Sequence, residues 1–493
     1  MTPHAQPMPA DAFEGATLCD VCGTESCEIH LPAEAASAPT LTAHRSTPAL
    51  DPLTEAGAAE RFARLHGDDV RHDKRRNLWL LWNGQRWTPD TDAAITRLGL
   101  DFTRDYQRKA LNISDSQRRR ETLAAALKLE RREALMSMLR LAADLKPIAD
   151  SGDGWDTHPW LLGTPDGVVD LRTGDRRPAA REDRITLSTS VEYDEAATST
   201  LWDETLRSIL VTSSVLDFVQ AAIGYSATGD TRRDAWFLAQ GSGRNGKGTL
   251  IHPVQRVLGD YAVELPAACL DARRDSLPYD LAVLPGRRFV VSSESGDSIR
   301  LNHDRIKQIT GGDRIRAANK YEKSVEFECT AKLWLSANKT PRVTDDSPAF
   351  WARVMLVPFP VSFVGREDRN LRPTLEREPE HQAGILAWIV QGAVRYYRYG
   401  LDPPDAVTAA TRVYELECDP LADFLDAMCI PDPDAEIGAA DFYQHYRRWA
   451  EEHGLGERER LTATAFGRRM GERFKSLKRN TGKVYLGVAR RCA

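Results

Sequence analysis

The sequence predicts an α/β protein, with a helix-covered sheet at its centre, an α+β region before it and a smaller module after it. Three observations carry this. From about residue 200, short apolar strands alternate with helical stretches, the pattern of a sheet covered on both faces. One strand, "DAWFLAQ" (234–240), runs straight into the glycine-rich "GSGRNGKGTL" (241–250), which opens a helix. Three further short strands follow: "RRFVVSSE" (287–294), "AKLWLSAN" (331–338) and "ARVMLVPF" (352–359).

At 493 residues the chain is too long for one ordinary core, so several domains are expected. With 42% hydrophobic and 28% charged residues, and no apolar run near the length of a membrane helix, no membrane association is expected. The opening residues lack the basic and apolar regions of a secretory leader. Five of the eight cysteines are scattered singly, which argues for a reducing cytoplasm and against a disulfide framework. The net charge is −6, yet Arg458 to Arg491 holds eleven Lys or Arg against two Glu. That block reads either as a nucleic-acid contact or as a solvated face.

Taken in order, residues 1–17 read as disordered and residues 31–57, rich in Ala, Pro, Ser and Thr, as a linker. Between them, residues 18–30 space Cys19, Cys22, Cys27 and His30 as C-x2-C-x4-C-x2-H. Four soft ligands in a segment too short to bury a core suit a small structural zinc knuckle. A reduced, unstructured cysteine cluster is the alternative. Residues 58–199 form the α+β region. In it "NLWLLWNGQRWTPD" (77–90) is a hairpin turning at Asn83–Gly84, residues 118–145 are helical by their Leu and Ala spacing, and "LLGTPDGVVDLRTGDRRP" (161–178) is a second strand-turn-strand, with turns at Asp166–Gly167 and Thr173–Gly174. Residues 200–400 form the α/β core, with a helix over 249–260. Residues 401–493 are mostly helical and close on the basic block and the strand-like "KVYLGVA" (483–489).

The chemistry gathers at the ends of the core strands. Gly241, Ser242, Gly243, Arg244, Asn245, Gly246, Lys247, Gly248 and Thr249 form a candidate phosphate loop. A glycine-lysine pattern of this kind recurs by chance in roughly one chain in ten of this length, so its context decides. Here a strand precedes it and a helix follows, which aims backbone N–H groups and a helix N-terminus at one spot suited to phosphate. Lys247 would reach the β and γ phosphates. The usual pattern places Ser or Thr directly after the lysine as a magnesium ligand, whereas here Gly248 stands there and the hydroxyl arrives at Thr249. Glu294 closes one strand, as expected of an acid that orients the attacking water. Asn338 closes another, where an amide could sense the γ phosphate. Arg353 could be an arginine finger reaching a neighbouring subunit's nucleotide. Each has a plainer reading alone: a solvated carboxylate, a turn residue, a surface ion pair.

In sequence, "FLAQGSGRNGKGTL" (237–250), "GRRFVVSSESGDSIRLNHDRIKQITGGDRIRA" (286–317) and "AKLWLSANKTPRVTDDSPAFWARVMLVPF" (331–359) resemble the superfamily 3 helicases of the phage and plasmid primase–helicase family. The 161–178 segment and "FVQAAIGYSATGD" (218–230) resemble the poxvirus-type domain that precedes the helicase in that family. "DFYQHYRRWAEEHG" (441–454), "TAFGRRMGERF" (464–474) and "KVYLGVA" resemble its C-terminal winged helix. The resemblance implies an AAA+ P-loop ATPase core, a hexameric ring, ATP and magnesium as ligands, and ATP-driven movement along single-stranded DNA. It implies work at a replication fork or origin of a phage, plasmid or satellite element, in the bacterial host cytoplasm.

Carried over by motif, Lys247 and Thr249 lie in the phosphate loop, Glu294 is the Walker B acid sharing magnesium with Thr249, Asn338 is the sensor and Arg353 falls at the arginine finger. Lys320 and Lys323 fall where the family has a pore hairpin and are candidates for DNA contact, as are Arg468, Arg469 and Lys475 in the winged-helix segment. Lys307 also matches the family pattern. Many relatives carry Ser where this chain has Gly248 and an arginine where it has Ala318. Many are also fused to a primase; the short stretch before residue 56 leads to the expectation of a primase encoded separately. Two rival readings stay open: a nucleotide kinase, since adenylate kinases share the Gly-Lys-Gly-Thr loop, and a non-catalytic origin-binding scaffold that uses nucleotide only to assemble. Phosphate transfer to a nucleoside monophosphate would mark the first, and ring formation without ATP turnover the second.

Overall fold

The computed structural model describes residues 52–274, 279–293, 299–318, 325–343, 347–419, 421–457, 460–480 and 482–491. The expected zinc ligands Cys19, Cys22, Cys27 and His30 lie outside the described residues, as do Glu294, Lys320 and Lys323.

The first helix, α1 (Glu55–His66), starts where the Thr54 hydroxyl accepts a hydrogen bond from Gly57 N, and it buries Ala59 and Phe62. It leads into β1 (Val70–Asp73), β2 (Leu78–Trp82) and β3 (Trp87–Pro89). The expected hairpin is β2–β3, with Trp82 opposite Trp87 and Gly84 supplying a φ of 96° at the turn. Helices α2 (Ala94–Leu111), α3 (Ser116–Leu129) and α4 (Arg132–Ala142) follow, then β4 (Ala149–Asp150), which pairs parallel to β1. The single helical stretch expected over 118–145 is two helices. The chain breaks at Arg131, which is extended at ψ 132°, so that α4 can bury Leu135, Met138 and Leu139 against α1 and α2. No glycine or proline marks that break. The second expected hairpin appears as β5 (Leu161–Thr164) and β6 (Gly167–Asp170), joined by β7 (Arg176–Arg177).

Helices α5 (Thr200–Leu210) and α6 (Ser213–Ala227) bring the chain to the core. There β8 (Trp236–Gln240), α7 (Lys247–Leu258), β9 (Ala262–Glu264), β10 (Phe289–Ser293), α8 (His303–Thr310), the antiparallel pair β11 (Arg314–Ala317) and β12 (Val325–Glu328), β13 (Lys332–Ala337), α9 (Pro348–Trp351) and β14 (Val354–Pro358) follow in order. The sheet runs β14-β8-β13-β10-β9 with every pair parallel. Its strands are near-continuous apolar runs because both faces are covered: Trp236, Phe237, Leu238 and Ala239 are all fully buried. Helices α10 (Leu371–Arg377), α11 (Pro379–Tyr399) and α12 (Asp405–Glu417) complete the cover. Among the described residues no single helix is long and apolar enough to cross a membrane.

Two buried basic side chains anchor the amino-terminal end of this sheet. Arg288, just before β10, donates to the carbonyls of His158, Leu161 and Ala227 and lies over the Tyr261 ring. Lys332, which opens β13 opposite Phe289, donates to the carbonyls of Thr228 and Thr330. These bonds tie the β5–β6 hairpin and the end of α6 to the core.

The last module comprises α13 (Ala422–Met428), β15 (Cys429–Gly438), α14 (Ala439–Glu452), α15 (Ala463–Arg473), β16 (Ser476–Arg479) and β17 (Gly482–Arg490). Its antiparallel sheet has the order β15-β17-β16, over a cluster that includes Phe424, Phe442, Phe466 and Tyr485. Strand β15 has no counterpart in the sequence reading. It contains Pro431 and Pro433, which an edge strand tolerates, and its register shifts between Pro431 and Glu436.

Candidate functional site

The site forms at the carboxyl ends of the parallel strands, where open α/β sheets place their ligands. Strand β8 ends at Gln240 and the next six residues wrap into a loop that α7 closes at Lys247. The wrap needs left-handed backbone at Gly243 (φ 92°), Arg244 (φ 47°) and Gly246 (φ 90°). A side chain at Gly246 would also drive its Cβ to 2.5 Å from the Ile209 side chain. Phe359 N, just after β14, donates to Gln240 O at 2.9 Å and fixes the loop's root.

Lys247 stands at the centre. Its ammonium donates to Gly241 O at 2.7 Å, to Asn245 Oδ1 at 3.0 Å and to Asn338 Oδ1 at 3.1 Å, and the residue is 6% exposed. All three acceptors are neutral oxygens. Burial therefore pulls the Lys247 pKa below the ordinary lysine value. A phosphate offers the same donors charged acceptors, so the ammonium is poised to exchange loop oxygens for an anion. Asn245 is buried and points its Nδ2 at Phe359 O, 3.4 Å away.

Asn338 reaches this point because β13 pairs with β8 up to Ala337 opposite Gln240, which puts the next residue beside the loop. Strand β10 ends at the same level, with Ser293 opposite Ser336; Glu294 is the next residue. Thr249 is half-buried on the first turn of α7. Ser242 and Gly248 complete the loop.

Arg353 is not brought to the Lys247 loop of its own chain. It precedes β14 at the other end of the sheet, where its guanidinium pairs with Asp234 at 2.8 Å and stands 3.4 Å from Thr310 Oγ1 and Lys307 O. In the last module Arg468 and Lys475 are exposed. Arg469, expected alongside them, is 6% exposed and lines a cleft of about 1490 Å³ between this module and the sheet's carboxyl edge. Adjacent residues on a helix point about 100° apart, so Arg468 and Arg469 do not share a face. Arg469 is thereby corrected from a displayed cation to a buried one.

Two features escaped the sequence reading. On β11 Arg314 and Arg316 alternate with buried Ile315 and Ala317, so both face outward on the hairpin that leads to Lys320. Their period-two spacing was a usable signal. The other is the chain after β14, which returns to the loop: Phe363 N donates to Arg244 O at 2.8 Å and the Arg244 guanidinium pairs with the Glu367 carboxylate.

Residues 59–211 match the family described as D5 N terminal like, and residues 239–353 match a family of unknown function, DUF5906. A protein of Acanthamoeba polyphaga mimivirus named "Putative helicase" is 25% identical over 329 residues, which cover 61% of this chain and 34% of that one. A protein of the same name in Frog virus 3 is 27% identical over 228 residues, 42% of this chain and 23% of that one. The chain thus spans about a third or less of the length of these curated relatives. The A-form apo structure of the NrS-1 C-terminal region aligns over 82% of this chain and 83% of that one, with 10% identity and a TM-score of 0.43.

Proposed function

We propose, for a chain that belongs to the phage-type primase–helicase family, that it is an ATP-driven DNA helicase or translocase of replication. The observation that carries this reading is the Lys247–Asn338 contact of 3.1 Å inside a glycine loop that opens a helix. ATP is the substrate the pocket's chemistry fits. Its phosphates replace Gly241 O and Asn245 Oδ1 on the Lys247 ammonium, while backbone amides of the loop and the start of α7 donate to the same oxygens. With Oδ1 of Asn338 turned to Lys247, its amide NH2 is left for the γ phosphate or the attacking water. The Thr249 hydroxyl and the Glu294 carboxylate, oxygen donors of the class magnesium takes, would hold that ion, which would supply positive charge to offset the phosphates. Glu294 would orient the water.

Two arrangements support the finer reading. The strand order β14-β8-β13-β10-β9, with the loop after β8, suits an AAA+ core. The succession α13-β15-α14-α15-β16-β17 suits a winged helix in which α15 displays Arg468, with Lys475 just beyond it, for DNA. On this reading the chain forms a hexameric ring on single-stranded DNA, Arg353 leaves Asp234 to reach the nucleotide of the next copy, and Lys320 and Lys323 contact DNA in the pore. The test is ATP turnover with and without single-stranded DNA. Turnover should rise with DNA and fall at least a hundredfold in Lys247→Ala. Full turnover in that variant, or none in the wild type, overturns the proposal.

A further inference from the structure

We infer that Arg372 is a second phosphate-binding cation of the nucleotide site, acting within the same chain from above Gly248. The inference rests on the nucleotide-site reading and names a residue that neither the loop motif nor the strand ends point to.

Gly248 is the second residue of α7, the position where a hydroxyl is usual. A Cβ built there would stand 3.2 Å from His252 Cδ2, 3.5 Å from His252 Nε2 and 3.8 Å from Arg372 Nη1. The missing side chain is therefore matched by two side chains turned toward the bare backbone: His252, one turn further along α7, and Arg372 at the start of α10. Glu376 engages the Arg372 Nε at 3.4 Å, one turn along α10, which leaves Nη1 as the nitrogen facing Gly248. The side chain is about half exposed (53%), so it has room to close the remaining distance.

The segment that carries Arg372 is fastened to the loop. Phe363 N donates to Arg244 O, Arg244 pairs with Glu367, and Gly365 N donates to Glu367 Oε2 at 3.0 Å. Glu367 also neutralises Arg244, the loop's other cation. A triphosphate bound at Lys247 would bring several negative charges to the start of α7, more than one ammonium balances. A planar guanidinium close by meets phosphate oxygens with two parallel donors, which a serine hydroxyl at 248 could not do. Glycine at 248 thus exchanges a metal ligand on the loop for access by an arginine on α10.

The test uses the full chain and a fluorescent N-methylanthraniloyl ATP, with ATP turnover measured in parallel. Arg372→Ala should weaken binding of the probe about tenfold or more and raise KM for ATP, as loss of a charge-assisted contact does. Arg372→Lys should recover part of the affinity. Arg369→Ala, an exposed arginine on the same segment, should bind as the wild type does. Thermal melting checks that each variant is folded; if Arg372→Ala is not, the Lys variant and its KM decide. Wild-type affinity and KM in folded Arg372→Ala, while Lys247→Ala loses binding, overturns this inference alone. Absence of binding by the wild type overturns the nucleotide-site reading and this inference with it.

Discussion

Lys247 donates to three neutral oxygens, and that single arrangement makes Asn338 a sharp probe. Asn338→Asp would place a carboxylate where Oδ1 now accepts from the ammonium. The new ion pair would hold Lys247 away from phosphate and repel the γ phosphate, so ATP affinity should fall by about a hundredfold or more. On the proposed reading, Asn338→Ala should keep much of the affinity and lose turnover, because the group it removes would act on the γ phosphate and water. Equilibrium binding set beside kcat separates the two outcomes. Thr249→Val tests the displaced hydroxyl: if Thr249 is the metal ligand, magnesium-dependent turnover collapses while metal-free nucleotide binding persists. At this scale much was legible. Lys247, Asn338 and the loop glycines were readable because a strand end, a glycine turn and a helix start are local in sequence. The approach of Arg372 to Gly248 was not, since the two lie more than a hundred residues apart and only the packing of α10 on α7 joins them. Arg469 misled because a charge count does not say which side of α15 faces inward.

Helix α6 crosses α11 at a pair of glycines. A Cβ at Gly224 would collide with the backbone of Gly392 and Ala393, and one at Gly392 with Gln220 O. Neither glycine sits at an unusual φ, so close approach of the two helices, not conformational freedom, requires them. Gly224→Ala or Gly392→Ala should each destabilise the protein by about 1–3 kcal/mol, as forced overpacking does, and denaturant midpoints would show it. Unchanged midpoints would mean the helices part without cost. Four of the five core strands were readable as elements because each is a short apolar run bounded by polar residues; β9, only three residues long and ending in Glu264, was not. The α3–α4 break was not, because burial of Leu135 and Met138 sets it and no breaker residue marks it. Strand β15 was hidden by its two prolines, which usually end strands and here sit on a sheet edge.

Across the whole molecule, the sheet's two ends carry different chemistry. The carboxyl end holds the glycine loop around Lys247; the amino end holds Arg288 and Lys332, buried and bonded to carbonyls. Burial, reinforced by the neighbouring Arg288, pushes the Lys332 pKa well below the ordinary lysine value. The unfolded chain then holds a proton that the folded chain has released throughout the window between those two values. More protons bound in the unfolded state means stability that rises with pH across that window. Wild-type protein should therefore gain stability relative to Lys332→Met as pH climbs toward the lysine range, measured by denaturant unfolding at matched ionic strength. A gap between the two that does not change with pH would show that Lys332 stays charged when folded. The order of regions along the chain could be read from its composition and turns. The tie between the β5–β6 hairpin and the core could not, because it is made by backbone carbonyls that any sequence supplies.

If ATP chemistry at Lys247 drives movement on DNA, strand displacement tests it most directly. A forked duplex with a labelled strand, incubated with the protein, magnesium and ATP, should lose that strand at a rate that follows ATP turnover. Lys247→Ala should leave the duplex intact. Brisk DNA-stimulated ATP turnover with no strand displaced, or displacement that proceeds without ATP, would contradict the account.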